Sequence, residues 1–479
     1  MPSPAPTVPR LPLTTKLAYG VGAVAYGVKD NGFGFFLLMF YSQVIGLDAG
    51  MVGLAIMVAL ILDAISDPIV GYWSDNLHSK WGRRHPFLYA SAVPVALTYY
   101  LLWAPPVGWS NEALFWYLLV LAVLIRTFIT FNETPSSALT PELTDNYDER
   151  SSLISYRLYF GWTGGNAMSV LMFMVLFPAF AVGAASGQFN RDAYALYGEI
   201  AGALIFASIL ISAVGTHARI PHLKLPPAKR KMTLGLIFKE MAETLANRSF
   251  LALFVAGVFG AIAAGMSAAL TFYIATYFWG FTPQQIGILT IGVFLSAVIG
   301  AVMAPIVTRT IGKRRGAMII GLIAFIGSPL PVVLKLVGLL PEDNAAFVFW
   351  FVFIAGVIDV GFIICFQILM ASMMADLVEQ AELKTGRRSE GTFIAAATFS
   401  RKMVSGLGVL AASAVLALAG LKAGAEPADV APDVLWNLGV YYVPVILALW
   451  MAMMAAMAFY RLERHEHEDN LRRLAERNA

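Results

Sequence analysis

Apolar residues in this chain run in unbroken stretches of about 20 or more, separated by short polar breaks, with neither strand alternation nor a single helical stripe. Twelve stretches are read near 17–46, 50–74, 86–105, 113–139, 152–178, 196–216, 250–279, 285–308, 316–339, 346–376, 391–420 and 434–460. A helix of that length matches the hydrocarbon thickness of a bilayer and satisfies its own backbone there. The sixth and ninth stretches are short or interrupted by Gly and Pro. The pattern predicts an all-α integral membrane protein of twelve transmembrane helices.

Basic residues in the breaks set the orientation. Alternate breaks carry Lys80, Arg83 and Arg84; Arg150; the stretch 217–249; Arg309 with Lys313, Arg314 and Arg315; and Lys384, Arg387 and Arg388. The intervening breaks hold only Arg191, Lys335 and Lys422. Positive charge stays on the cytoplasmic side, which places both termini and the long central loop in the cytoplasm. The expected organisation is a six-helix bundle over 1–216, a cytoplasmic loop over 217–249, a second six-helix bundle over 250–460, and a charged tail over 461–479 read as a solvated helix. Met1–Arg10 reads as a Pro-rich polar leader, with no cleavable signal. An internal repeat agrees with the division. Gly71-Tyr-Trp-Ser-Asp75 and Gly82-Arg83-Arg84 follow the second stretch, while Pro305-Ile-Val-Thr-Arg309 and Gly312-Lys313-Arg314-Arg315 follow the eighth. Two ordinary basic loops are the competing explanation.

Composition closes off other classes. Apolar residues make up 58% and charged residues 13%, against about 25% charged in an average soluble domain. The only cysteine, Cys365, lies in an apolar stretch, so there is no disulfide framework and no thiolate metal site. No G-x-x-x-x-G-K-[ST] loop occurs, so ATP-driven pumping has no support. His78 and His85 are placed in a loop, His217 and His222 in the central loop, and His465 and His467 in the tail. None sits where a buried zinc site or an intramembrane proton relay needs it.

What remains is a small set of charges inside the apolar stretches. Asp63 and Asp67 stand at i,i+4 with Ser66 beside them. A carboxylate at mid-bilayer costs roughly 2.5–3.5 kcal/mol, so two on one helix face call for a function. Like charges repel unless a proton or cation intervenes, and two acceptors with a hydroxyl suit Na⁺ or H⁺. A structural ion pair to a lysine would also neutralise them. Thr130 and Glu133 share a face at i,i+3, so one helix can offer a hydroxyl to the cation and a carboxylate to a second ligand. Pro135 beyond them allows a local kink. Asp30 and Arg157 suit a polyol, since a carboxylate accepts and a guanidinium donates in pairs to vicinal hydroxyls. Lys402 carries charge deep in the second half, where it can pair with Asp63 or Asp67 when the cation is absent. Arg126 can serve as the structural partner of an acid. Snorkelling or local ion pairing is the plainer alternative for Asp30, Glu133, Arg157 and Lys402. Trp73, Trp103, Trp116 and Trp279 read as an interfacial belt.

At these residues the chain resembles the melibiose-permease type of cation-coupled sugar symporter, the glycoside-pentoside-hexuronide group of the major facilitator superfamily. The segments that carry the resemblance, across about residues 15–460, are Lys29-Asp30, Asp63-Ala-Ile-Ser66-Asp67-Pro68, Trp81-Gly82-Arg83-Arg84, Glu133-Thr-Pro135, Asp148-Glu149-Arg150-Ser151, Lys384-Thr-Gly386-Arg387-Arg388-Ser-Glu390-Gly391, and Lys402. It implies the major facilitator fold. It also implies a coupling-cation site at Asp63, Ser66, Asp67 and Thr130, and a sugar site at Lys29, Asp30, Glu133 and Arg157, with Lys402 near the interface of the halves. Two positions depart from the group. Ser66 stands where sodium-using members have Asn, which leaves Na⁺ and H⁺ both open. Ser137 stands where galactoside users have a stacking Trp.

The expected function is therefore secondary active symport, in which a monovalent cation, Na⁺ or H⁺, drives uptake of a sugar or glycoside across a bacterial inner membrane. Beyond the coupling cation no cofactor is expected, and the partners are substrate, cation and membrane lipid, with no nucleic acid. A lysophospholipid or other amphiphile symporter of the same fold is the rival within transport. A non-transporting membrane sensor and a lipid- or glycan-modifying enzyme are rivals of other classes; the first would need a signalling module and the second a histidine or metal cluster at a membrane face.

Overall fold

A computed structural model describes residues 11–144, 146–182, 186–223, 248–341, 343–385 and 390–460. The leader Met1–Arg10, most of the central loop (224–247) and the tail 461–479 lie outside the described residues, as do the side chains of 377–400. The chain forms two compact units, Met1–Lys229 and Arg230–Ala479.

The first unit holds six helical runs. The first, α1, is built of Leu13–Val21, Ala23–Asn31 and then alternating wide and regular turns, Gly32–Phe36, Leu37–Met39 and Phe40–Val44. Then follow α2 (Ala49–Asn76), α3 (His85–Trp103), α4 (Asn111–Leu143), α5 (Tyr147–Leu171, prolonged by Met172–Leu176 and Phe177–Ala179) and α6 (Arg191–His217). Polar residues at the breaks start these helices. Asp48 Oδ1 accepts the Gly50 and Met51 amides at 2.9 and 3.2 Å, and Ser110 Oγ accepts the Ala113 amide at 3.3 Å. The fourth helix runs on through Pro135 and Pro141 without a break.

The second unit repeats the plan with α7 (Arg248–Tyr273, then Ile274–Phe278), α8 (Pro283–Thr310), α9 (Lys313–Gly327 and Leu330–Leu336), α10 (Ala345–Thr385), α11 (Glu390–Ala419) and α12 (Pro432–Ala458). Among the described residues, ten helices are long and apolar enough to cross a membrane. The charged and interrupted α1 and the half-described α11, apolar over Val404–Ala419, complete the set. The sixth run is longer than its apolar stretch, because polar Arg191–Asp192 already belong to its first turn. The ninth is broken at Ser328-Pro329.

Packing follows one scheme in both units. Helix α1 packs on α5, α2 on α4 and α3 on α6; correspondingly α7 packs on α11, α8 on α10 and α9 on α12. The turns after α2 and α8 also correspond. Gly82 and Gly312 both adopt positive φ, +71° and +81°. Beyond Gly82, Arg84 reaches Glu142 at the end of α4 (2.9 Å), and beyond Gly312, Lys313 reaches Asp376 on α10 (2.7 Å).

Two sequence expectations change here. Trp103 is fully buried, in contact with Phe40, Tyr99, Tyr194 and Tyr197, and forms an aromatic core instead of an interfacial belt. Trp73 and Trp116 are half exposed. His85 is not a loop residue: it opens α3, is buried, and places Nε2 3.0 Å from Thr216 Oγ1 on α6.

Candidate functional site

The charges of the first unit gather on facing sides of α1, α2, α4 and α5. Spacing along α4 organises them. Arg126, Thr130, Glu133 and Ser137 recur at intervals of four, three and four, so they line one helix face.

At one end of that face, Thr130 Oγ1 lies 3.1 Å from Asp63 Oδ1 and 3.0 Å from Asp67 Oδ1, and 2.9 Å from its own helix's Arg126 carbonyl. A hydroxyl has one proton, so it cannot donate to all three acceptors at once. Arg126 Nη1 donates to Asp63 Oδ2 at 3.2 Å, and its guanidinium lies 4.7 Å from the centre of the Phe33 ring. Asp63, Thr130 and Arg126 are buried. Asp63, Asp67 and Thr130 thus converge, whereas Ser66 turns its hydroxyl proton to the Asp63 carbonyl, 3.0 Å away. The ion pair anticipated for this acid pair comes from an arginine on α4 and engages Asp63.

One turn further along α4 a second group assembles. Lys29 Nζ is buried, 2.6 Å from the exposed Asp30 carboxylate and 4.0 Å from Glu133 Oε2. Arg157 on α5 is buried too, and its fork is filled by hydroxyls. Nη1 donates to Tyr19 Oη (3.0 Å) and Ser136 Oγ (2.9 Å), and Nη2 to Ser137 Oγ (2.9 Å). The guanidinium also lies 5.4 and 5.7 Å from the Tyr19 and Tyr26 ring centres. Glu133 is within electrostatic reach of Arg157 and Tyr26. Among the described residues no hydrogen bond or ion pair joins Asp30 to Arg157. Lys402 lies on α11 in the second unit, half-buried, its carbonyl accepting the Ser405 hydroxyl at 2.9 Å.

Sequence reasoning misses Tyr19, Tyr26 and Ser136. Each is an ordinary helix residue until the meeting of α1, α4 and α5 aims it at Arg157. Ser137 is noticed for the aromatic it replaces, and its contact with Arg157 is new.

Comparison with known proteins agrees with this architecture. The profile of the MFS/sugar transport protein family matches residues 18–464. An uncharacterized symporter of Synechocystis sp. is 26% identical, covering 96% of each chain. An isoprimeverose transporter of Lactiplantibacillus pentosus is 24% identical over 95% of this chain and 90% of its own. Among solved structures, a D-xylose-proton symporter superposes with a TM-score of 0.57 at 15% identity, over 91% of this chain and 97% of that one.

Proposed function

The chain belongs to the MFS/sugar transport protein family, and from that premise we propose that it couples inward movement of a monovalent cation, Na⁺ or H⁺, to uptake of a sugar or glycoside by alternating access. The observation that carries this reading is the Thr130 hydroxyl, within 3.1 Å of both Asp63 and Asp67, on the helix face that also bears Glu133.

Within the cluster Arg126 donates to Asp63, and the two like-charged acids share the Thr130 hydroxyl. A cation at Asp63, Asp67 and Thr130 relieves the repulsion and fixes α2 against α4. Glu133, about 4.5 Å along α4 from Thr130, is thereby held for substrate. Lys29, Asp30, Glu133 and Arg157 offer hydroxyl-binding groups of both signs, which suits a polyol. Coupling requires that cation occupancy favour the substrate-competent state. One charge crossing 100 mV supplies about 2.3 kcal/mol. The bias of basic residues puts both termini in the cytoplasm.

The test uses proteoliposomes with an imposed cation gradient. Asp67→Asn is expected to abolish gradient-driven uptake, and uptake at the normal rate would refute the cation assignment. A thermal-shift screen of sugars, glycosides and lysolipids, with and without Na⁺, identifies the substrate, because a ligand of the native state raises its apparent stability.

A further inference from the structure

Asp359 is the sole charged residue in the apolar window Ala345–Met374 of α10. It lies about 21 Å from the start of that helix, near mid-membrane depth. Its surroundings come from two other helices. The Ser328 side chain of α9 lies beside the carboxylate. Tyr442 of α12, buried, lies within electrostatic reach of it. Among the described residues no cation pairs with it. The basic residues of α7, α8 and α9 (Arg248, Arg309, Lys313, Arg314, Arg315 and Lys335) all sit in first or last turns, and α12 brings only Asp433 at its start.

The break in α9 supplies a second, independent feature. In an unbroken helix the amides of residues 329 and 331 would donate to the Phe325 and Gly327 carbonyls. Both positions are proline and have no N–H. Two carbonyl oxygens therefore lose their helical donors at the place where Asp359 approaches. Gly327 permits that approach: Asp359 Oδ1 lies 3.4 Å from the point a Cβ there would occupy. A carboxylate, a hydroxyl and the open carbonyls of a broken helix are the donor set that membrane transporters aim at cations.

We propose that Asp359, Ser328 and the α9 break form a second monovalent-cation site, separate from the Asp63–Asp67–Thr130 cluster and confined to the second unit. An isolated carboxylate at this depth is costly unless a positive ion joins it. A bound proton turns Asp359 into a donor for the orphaned carbonyls, and Na⁺ takes the same oxygens as ligands. Tyr442 connects occupancy to α12. The role in turnover rests on the transport reading above, whereas the binding itself does not.

The experiment is infrared difference spectroscopy on the full-length chain in lipid, stepping choline to Na⁺ at fixed pH and stepping pH in choline. Asp63→Asn/Asp67→Asn silences the first cluster. In that background a carboxyl difference band is expected to persist, and adding Asp359→Asn is expected to remove it. The step that elicits the band identifies the ion. Ser328→Ala should weaken the cation midpoint about fivefold, the loss of one hydrogen bond. The proposal is overturned if the double variant already lacks the band, or if the band survives Asp359→Asn. Should Asp359→Asn fail to fold, an unchanged midpoint in both Ser328→Ala and Tyr442→Phe overturns it. Absent uptake with the band intact would count against the transport reading alone, and normal uptake with no band against this site alone.

Discussion

Arg126 holds Asp63 through Nη1 and Oδ2, 3.2 Å apart, while Thr130, one turn further along α4, meets the other oxygen of the same carboxylate. Asp63 has an arginine built in.

Removing that arginine leaves a buried carboxylate with less compensation. Breaking a buried pair from one side typically costs about 3–5 kcal/mol, much more than deleting both partners. Arg126→Gln should therefore destabilise the protein by that amount and make its stability depend more steeply on Na⁺ or on acid pH. Arg126→Gln with Asp63→Asn should recover most of the loss. Thermal unfolding of the three variants measures the cycle. A single variant as stable as wild type would mean that Arg126 is not the charge partner.

The membrane helices are legible in the sequence because apolar run length is a one-dimensional property, set by bilayer thickness. Asp63 and Asp67 are legible for a similar reason, since helix geometry alone puts i,i+4 on one face. Thr130 with Glu133 follows the same rule. What the sequence does not carry is the register between helices. Arg126 reads only as a possible partner for some acid until α4 is docked on α2. The hydroxyl cradle around Arg157 depends on how closely α1 and α5 approach. Trp103 and Trp116 are alike as aromatic residues near helix ends, but one faces the bundle and the other does not.

That last contrast can be measured. Trp103 is fully buried whereas Trp116 is 55% exposed. Trp103→Ala removes a ring packed against four aromatic neighbours and should cost about 3–5 kcal/mol, as large core truncations do. Trp116→Ala should cost less than about 1 kcal/mol. Equal losses in thermal unfolding would return Trp103 to the interfacial belt.

Arg157 should separate substrate binding from cation binding. Its fork meets Tyr19, Ser136 and Ser137 together, a geometry that a lysine ammonium cannot reproduce. Arg157→Lys is expected to weaken the substrate found in the thermal-shift screen by at least about tenfold, roughly one charge-assisted hydrogen bond. The Na⁺ or H⁺ midpoint should stay within about twofold, because the cation cluster contains no atom of Arg157. Titration calorimetry of both ligands decides, and parallel losses would indicate a single shared site.

The crossing of α1 and α5 governs where Arg157 stands, and glycine permits it. A Cβ on Gly27 would fall 1.9 Å from the Gly161 carbonyl oxygen, a backbone atom that cannot rotate away. Gly27→Ala must therefore force the helices apart, at about 1–3 kcal/mol or more. Tyr26 is its neighbour in sequence and Arg157 lies one turn before Gly161, so the displacement should reach the substrate residues as well. Gly257 on α7 is the matched control, because a Cβ there meets nothing within 4 Å. Gly257→Ala should leave binding unchanged and stabilise the fold by roughly 0.4–1 kcal/mol, since alanine loses less backbone freedom on folding. Opposite signs for the two variants in thermal unfolding, with weakened substrate affinity only for Gly27→Ala, would establish that close backbone approach, rather than helix propensity, positions the substrate residues.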